Sequence, residues 1–172
     1  MPDSPMELLL RSWQRALRAR GLSPDTLSGY TDTVNNFRRW RVKEELPLDP
    51  QATTRDEIID WTTWLLETRA AGTAEARFTG LKAFFTWLAA EGEITANPMA
   101  TLKAPKAPES PVNVIPAEDI EVLLRFLAGN DFYSRRDLAL IATYIDTGAR
   151  RRELARLTVD DVDLDLRRIG IT

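Results

Sequence analysis

The chain contains neither cysteine nor histidine. The first absence excludes disulfides and thiolate chemistry and suits a reducing compartment. The second removes the commonest general base and the commonest metal ligand. No apolar run approaches the roughly 20 residues that span a bilayer, and the N-terminus lacks the h-region of a signal peptide. These absences lead us to expect a soluble, cytoplasmic protein with no membrane partner. An excess of basic residues is missing too: 23 Lys and Arg face 26 Asp and Glu, a net charge of −3. That sum argues against nucleic-acid binding by bulk charge, but it says little when charges are segregated by face.

What is present is helical patterning. Ser4-Pro5 supplies an N-cap and first helical residue, and Met6, Leu9, Leu10, Trp13 and Leu17 follow as one stripe. Arg11, Arg15 and Arg18 lie on another face, either as a solvated surface or as a basic stripe toward phosphates. Gly21 ends this helix. Ser23-Pro24 opens the next, with Leu27, Tyr30, Val34 and Phe37 predicted to be buried. It closes on Arg38, Arg39, Arg41 and Lys43, cations that the helix dipole favours at a C-terminus in any case. Pro47 and Pro50 mark a loop, and Thr54-Arg-Asp-Glu57 is a capping box before Ile58, Trp61 and Leu65. A turn at Ala70-Ala71-Gly72 precedes a fourth helix whose core face is Phe78, Leu81, Phe85 and Leu88. Thr79, Lys82 and Thr86 share a polar stripe on it, with Arg77 one register away. Gly92 ends that helix, and four such helices make a small bundle over residues 1–102.

Residues 103–115 carry Pro105, Pro108 and Pro111 with Lys103 and Lys106, and Pro116 follows. Proline at this density reads as an extended linker. A second domain, 116–172, begins with Glu118 and Asp119 in a first helical turn, as the dipole prefers. Its predicted core stripe is Ile120, Leu123, Leu124 and Leu127. Ser134 is expected to cap the next helix, which buries Leu138, Ile141 and Ile145 and stops at Gly148. A short helix should start at about Arg150, with Leu154 and Leu157 inward. Arg150 then sits beside free backbone N–H groups, a ready place for a phosphate. The alternative is that Arg150-Arg151-Arg152 is a solvated surface run. Arg167 to Thr172 has the pattern of a first strand.

Thr147-Gly-Ala-Arg150-Arg-Arg-Glu153-Leu154, followed by Leu157-Thr-Val-Asp-Asp161-Val-Asp163, resembles the start of the catalytic domain of tyrosine recombinases, the phage-integrase family. The stretch from Arg20 to Trp40 resembles the opening of that family's core-binding domain. Phe78 to Pro98 resembles the last core-binding helix, with Lys82 where an arginine or lysine is usual. The resemblance implies a mainly α chain: a four-helix SAM-like core-binding bundle, the linker, then the helical first part of an α+β catalytic domain ending in a first β-strand.

It also implies a chemistry. A tyrosine attacks a DNA phosphodiester, a 3′-phosphotyrosine forms, and a second strand's hydroxyl resolves it. No metal or cofactor is needed, because positioned cations stabilise the charge on the transferring phosphoryl group. By resemblance Arg150 is the first catalytic arginine, supported by Gly148, Glu153 and Asp161. Arg38, Arg77, Thr79, Lys82, Thr86, Lys103, Lys106 and Arg152 are expected on double-stranded DNA. Tyr30, Tyr133 and Tyr144 all precede the family's nucleophile position, so the chain reads as the front half of a recombinase lacking the nucleophile and most catalytic residues. Full length, it would form a tetrameric synapse on DNA in a bacterial or phage-encoded, nucleoid-associated setting. Two rivals are a non-catalytic DNA-binding regulator derived from a truncated integrase and a helical protein-interaction module.

Overall fold

Serine–proline pairs open the first two helices, as their spacing predicts. Ser4 Oγ accepts the Glu7 N–H at the start of α1, Pro5–Ala19. Ser23 Oγ accepts the Thr26 N–H at the start of α2, Pro24–Lys43. Gly21, at φ 72°, turns the chain between them. The computed structural model describes residues 4–106, 108 and 113–171, so part of the expected linker and the end of the expected strand lie outside the described residues. It divides into two units, Met1–Ser110 and Pro111–Thr172.

In the first unit, α3 (Arg55–Thr68) starts on a complete capping box. Thr54 Oγ1 accepts the Glu57 N–H at 3.2 Å, and Glu57 Oε2 accepts the Thr54 N–H at 2.8 Å. The fourth helix, α4 (Ala71–Ala90), begins earlier than the expected turn allows. Ala70 is its N-cap without a side-chain bond, and Gly72 lies inside the first turn. Gly72 is exposed there, so its weak helix propensity is the only local cost.

The predicted stripes converge on one core. Met6, Leu10, Trp13 and Leu17 of α1, Val34 and Phe37 of α2, Ile58, Trp61 and Leu65 of α3, and Phe78, Leu81, Phe85 and Leu88 of α4 are all buried. Phe84, outside the predicted face, is fully buried as well. The reason is the place of α4, which packs against each of the other three helices. A helix covered on several sides needs apolar residues beyond a single stripe. It passes tightly against α2, where a Cβ added at Gly80 would lie 3.0 Å from Thr33 Oγ1. Aromatic edges fill the centre, with Phe37 and Trp61 rings 5.2 Å apart at 74°.

One member of the cationic cluster at the end of α2 is not at the surface. Arg41 is fully buried. Its Nη1 donates to Glu57 Oε2 at 2.8 Å and to Thr53 Oγ1 at 3.1 Å, and its Nε donates to the Pro47 carbonyl at 2.7 Å. Dipole complementarity therefore does not account for this arginine. It fastens the end of α2 to the loop and to the capping box of α3.

The second unit contains α5 (Ala117–Phe126), α6 (Phe132–Thr147) and α7 (Arg151–Ala155). After a 3-10 turn at Val159–Asp161 come two short antiparallel strands, β1 (Val162–Asp163) and β2 (Arg168–Ile169), with Val162 opposite Ile169. The single expected strand is thus the second arm of a hairpin. Asp131, not Ser134, caps α6: its Oδ1 accepts the N–H groups of Tyr133 and Ser134. An aspartate placed directly before the helix accepts from both, and Ser134 instead hydrogen-bonds the other carboxylate oxygen.

The apolar stripes of this unit are less covered than predicted. Leu123 is 42% and Ile145 49% exposed, while Ile120, Leu124, Leu127, Leu138, Ile141 and Leu157 are half-buried. Leu154 is the one buried apolar residue among those described here. The spacing is right, but α5 and α6 chiefly face each other and leave their remaining sides open.

Candidate nucleic-acid interface

On α4, the polar stripe keeps its hydroxyl protons at home. Thr79 Oγ1 donates to the Glu75 carbonyl at 2.9 Å, and Thr86 Oγ1 to the Lys82 carbonyl at 2.7 Å. Both threonines are exposed. Thr79, Lys82 and Thr86 line one groove together with Arg20, Trp87 and Ala104. Arg77 lines a neighbouring groove with Thr26, Thr73 and Thr33, and its Nη1 lies 3.4 Å from Thr33 Oγ1. Tyr30 borders both grooves and stacks on Trp13 at 5.2 Å. Four of the predicted residues are therefore split three and one across this tyrosine.

Arg38 stands elsewhere on the unit, with Nη1 2.7 Å from Glu7 Oε1. That hydrogen bond and charge hold the Glu7 carboxyl below the usual range. Lys103 and Lys106 are exposed. Arg20 was not among the sequence candidates. Its only sequence signal was its place as a cation at the helix end just before Gly21, where it is the C-cap of α1.

In the second unit, α6 ends on Gly148 in the left-handed conformation, φ 62° and ψ 17°. That geometry suits glycine, which has no Cβ to clash. Thr147 Oγ1 accepts the Ala149 N–H at 3.2 Å and so shapes the exit. Arg150 follows as the N-cap of α7, not as a residue of its first turn. Two bonds clasp it to Glu153: its N–H donates to Oε2 at 2.7 Å and its Nη1 to Oε1 at 2.9 Å. Those donors hold the Glu153 carboxyl below its ordinary range, the backbone N–H most of all. The Arg150 side chain is 86% exposed against 26% for Glu153.

The expected free N–H at Arg150 is therefore occupied by Glu153, and α7 spans only five residues. What the turn offers outward is the guanidinium. Arg151 and Arg152 are exposed and step round the helix from it. Asp161 accepts both the N–H and the hydroxyl of Thr158, at 2.7 and 2.8 Å, which holds its carboxyl below the ordinary range in the same way. Its carbonyl accepts the Gly170 N–H, tying the turn to β2.

Among the described residues no helix is long and apolar enough to cross a membrane.

Comparison with known proteins supplies relatives in sequence and in fold. The model of the phage integrase N-terminal SAM-like domain matches residues 9–92. The tyrosine recombinase XerC of Herpetosiphon aurantiacus is 30% identical over 152 residues, 87% of this chain and 49% of its own length. XerD of Listeria innocua is 26% identical over 148 residues, 86% of this chain and 50% of its own. The chain thus spans about half the length of the curated relatives it matches. Among solved structures, a lambda integrase tetramer bound to a Holliday junction superposes with a TM-score of 0.74 at 20% identity, covering 94% of this chain and 46% of that one. Motif, helix break, bundle and relatives agree: in sequence the chain is similar to the tyrosine recombinases XerC and XerD, and in fold to lambda integrase.

Proposed function

We propose that this chain is the DNA-binding front half of a site-specific tyrosine recombinase, which as a whole cuts and rejoins DNA through a 3′-phosphotyrosine. The observation that carries this reading is Arg150: an exposed guanidinium held by a two-point carboxylate clasp, directly after a glycine-stopped helix. A cation placed in this way serves phosphoryl transfer by stabilising charge that develops on non-bridging oxygens. Glu153 and Asp161 then hold the backbone on either side of α7, and Arg152 lies toward a neighbouring phosphate. Arg38, Arg77, Thr79, Thr86, Lys103 and Lys106 contact the duplex backbone, and Lys82 lies on the same DNA-facing groove as Thr79 and Thr86. Self-association on DNA, up to a tetrameric synapse, belongs to the same reading, and so does a nucleoid setting.

Salt dependence tests the binding half. Each phosphate neutralised contributes a log–log slope of roughly −0.9. Changing Lys103 and Lys106 together to alanine should flatten the slope of duplex binding by about one to two units and weaken all sequences alike. A slope that does not move would put these lysines off the DNA. Loss confined to one sequence would make them base readers.

A further inference from the structure

The chain leaves the first unit across α4. After the turn at Asn97–Thr101, Met99 is fully buried and Leu102 packs against the core. Ala104 borders the groove that holds Thr79, Lys82 and Thr86. Within this groove the half-buried Lys82 donates from Nζ to the Leu102 carbonyl at 2.6 Å, across 20 residues of sequence. The Leu102 N–H is spent on Met99 O. The last carbonyl of the anchored segment is thus held by an ammonium group, a charge-assisted bond about twice as strong as a neutral one. Lys103, with Lys106 three residues on, begins immediately beyond it.

We propose that Lys82 is a positioning residue: it fixes the direction in which the chain leaves the bundle and so sets where Lys103 and Lys106 are presented. The lysine stem lies in the groove and its head is engaged by the protein's own backbone. Its effect on a duplex is then indirect. It removes the conformational cost of ordering the exit segment before the two following lysines meet phosphates. Only that last step rests on the DNA-binding reading; the tether itself does not.

The experiment uses the whole chain and the variants Lys82→Met, which keeps the stem, and Lys82→Arg, which keeps a donor. Limited trypsin digestion, followed by mass spectrometry, reads the initial rate of cleavage after Lys103, with thermal melting as the check on folding. Loss of one charge-assisted bond to the cleavage segment should raise that rate about tenfold in Lys82→Met, and Lys82→Arg should restore it. In duplex titrations Lys82→Met should weaken binding while leaving the salt slope where it was, because the phosphate contacts remain. An unchanged cleavage rate would overturn the tether. A slope reduced by about one unit at unchanged cleavage would make Lys82 a direct phosphate contact instead. Absence of duplex binding in every variant would sink the proposed function, and the digestion would still decide the tether.

Discussion

Replacing Arg150 by alanine, in a protein of the relatives' full length that carries this sequence, should slow DNA strand cleavage by about three to five orders of magnitude, the usual worth of a positioned arginine in phosphoryl transfer. Folding and site binding should barely change. The side chain is 86% exposed and buries nothing, so its removal leaves no cavity. Lysine should rescue only in part, since it keeps the charge and loses the planar fork. Arg151→Ala should cost little. Single-turnover cleavage of a suicide substrate measures the effect, with a mobility-shift assay for binding. Normal cleavage by Arg150→Ala, with Arg151 or Arg152 crippling, would show the motif register to be wrong.

The clasp adds a pH sense to this expectation. Glu153 has its folded carboxyl lowered by the Arg150 N–H and guanidinium. A lowered folded value means the clasp is fully formed above the unfolded carboxylate range and is lost as pH falls through the folded value. Near neutral pH the arginine therefore stays oriented.

The second large effect concerns Arg41 and Glu57, and it is asymmetric. Glu57→Ala should destabilise the first unit by about 3–5 kcal/mol, the usual cost of stripping one partner from a buried ion pair. Arginine cannot shed its proton to escape, and Arg41 has no exposed surface. Its Nη2 is already buried without a hydrogen-bond partner among the described residues, so the charge has little to fall back on. The same substitution also removes the carboxylate that caps the Thr54 N–H. Arg41→Met should cost less, because Glu57 is 18% exposed, can be hydrated and keeps its capping bond. Chemical denaturation followed by circular dichroism gives both midpoints. Equal losses, or a larger loss for Arg41→Met, would show that the pair does not carry this part of the fold.

The contrast between Arg38 and Arg41 shows where sequence reading works and where it stops. Caps at Ser4, Ser23 and Thr54, the stop at Gly148, and the stripes of α1 to α4 depend on neighbours within four residues, and they were legible. Arg41 was read as one of several cations at a helix end. Its burial depends on Pro47, Thr53 and Glu57, whose arrival no local periodicity announces. Phe84 was hidden in the same way, because three-sided packing of α4 is a property of the whole bundle. In the second unit the periodicity of α5 and α6 was right, yet it predicted more burial than three helices and a hairpin provide. At the candidate site the sequence pointed to Arg150 and Glu153 by motif. That they grip each other through both backbone and side chain was visible only in three dimensions.

The close passage of α2 and α4 at Gly80 bears on how this bundle tolerates change. Exchanging a mid-helix glycine for alanine ordinarily gains about 1 kcal/mol from propensity alone. Here the new methyl would meet Thr33 Oγ1 at 3.0 Å and its Cβ and Cγ2 at 3.3 Å. Thr33 cannot simply swing aside, since its hydroxyl is bonded to the Gly29 carbonyl at 2.8 Å within a buried contact. Positions 33 and 80 are therefore mutually constrained. A library that optimises helix formers one position at a time would find position 80 closed, and would find it open once Thr33 has been shortened.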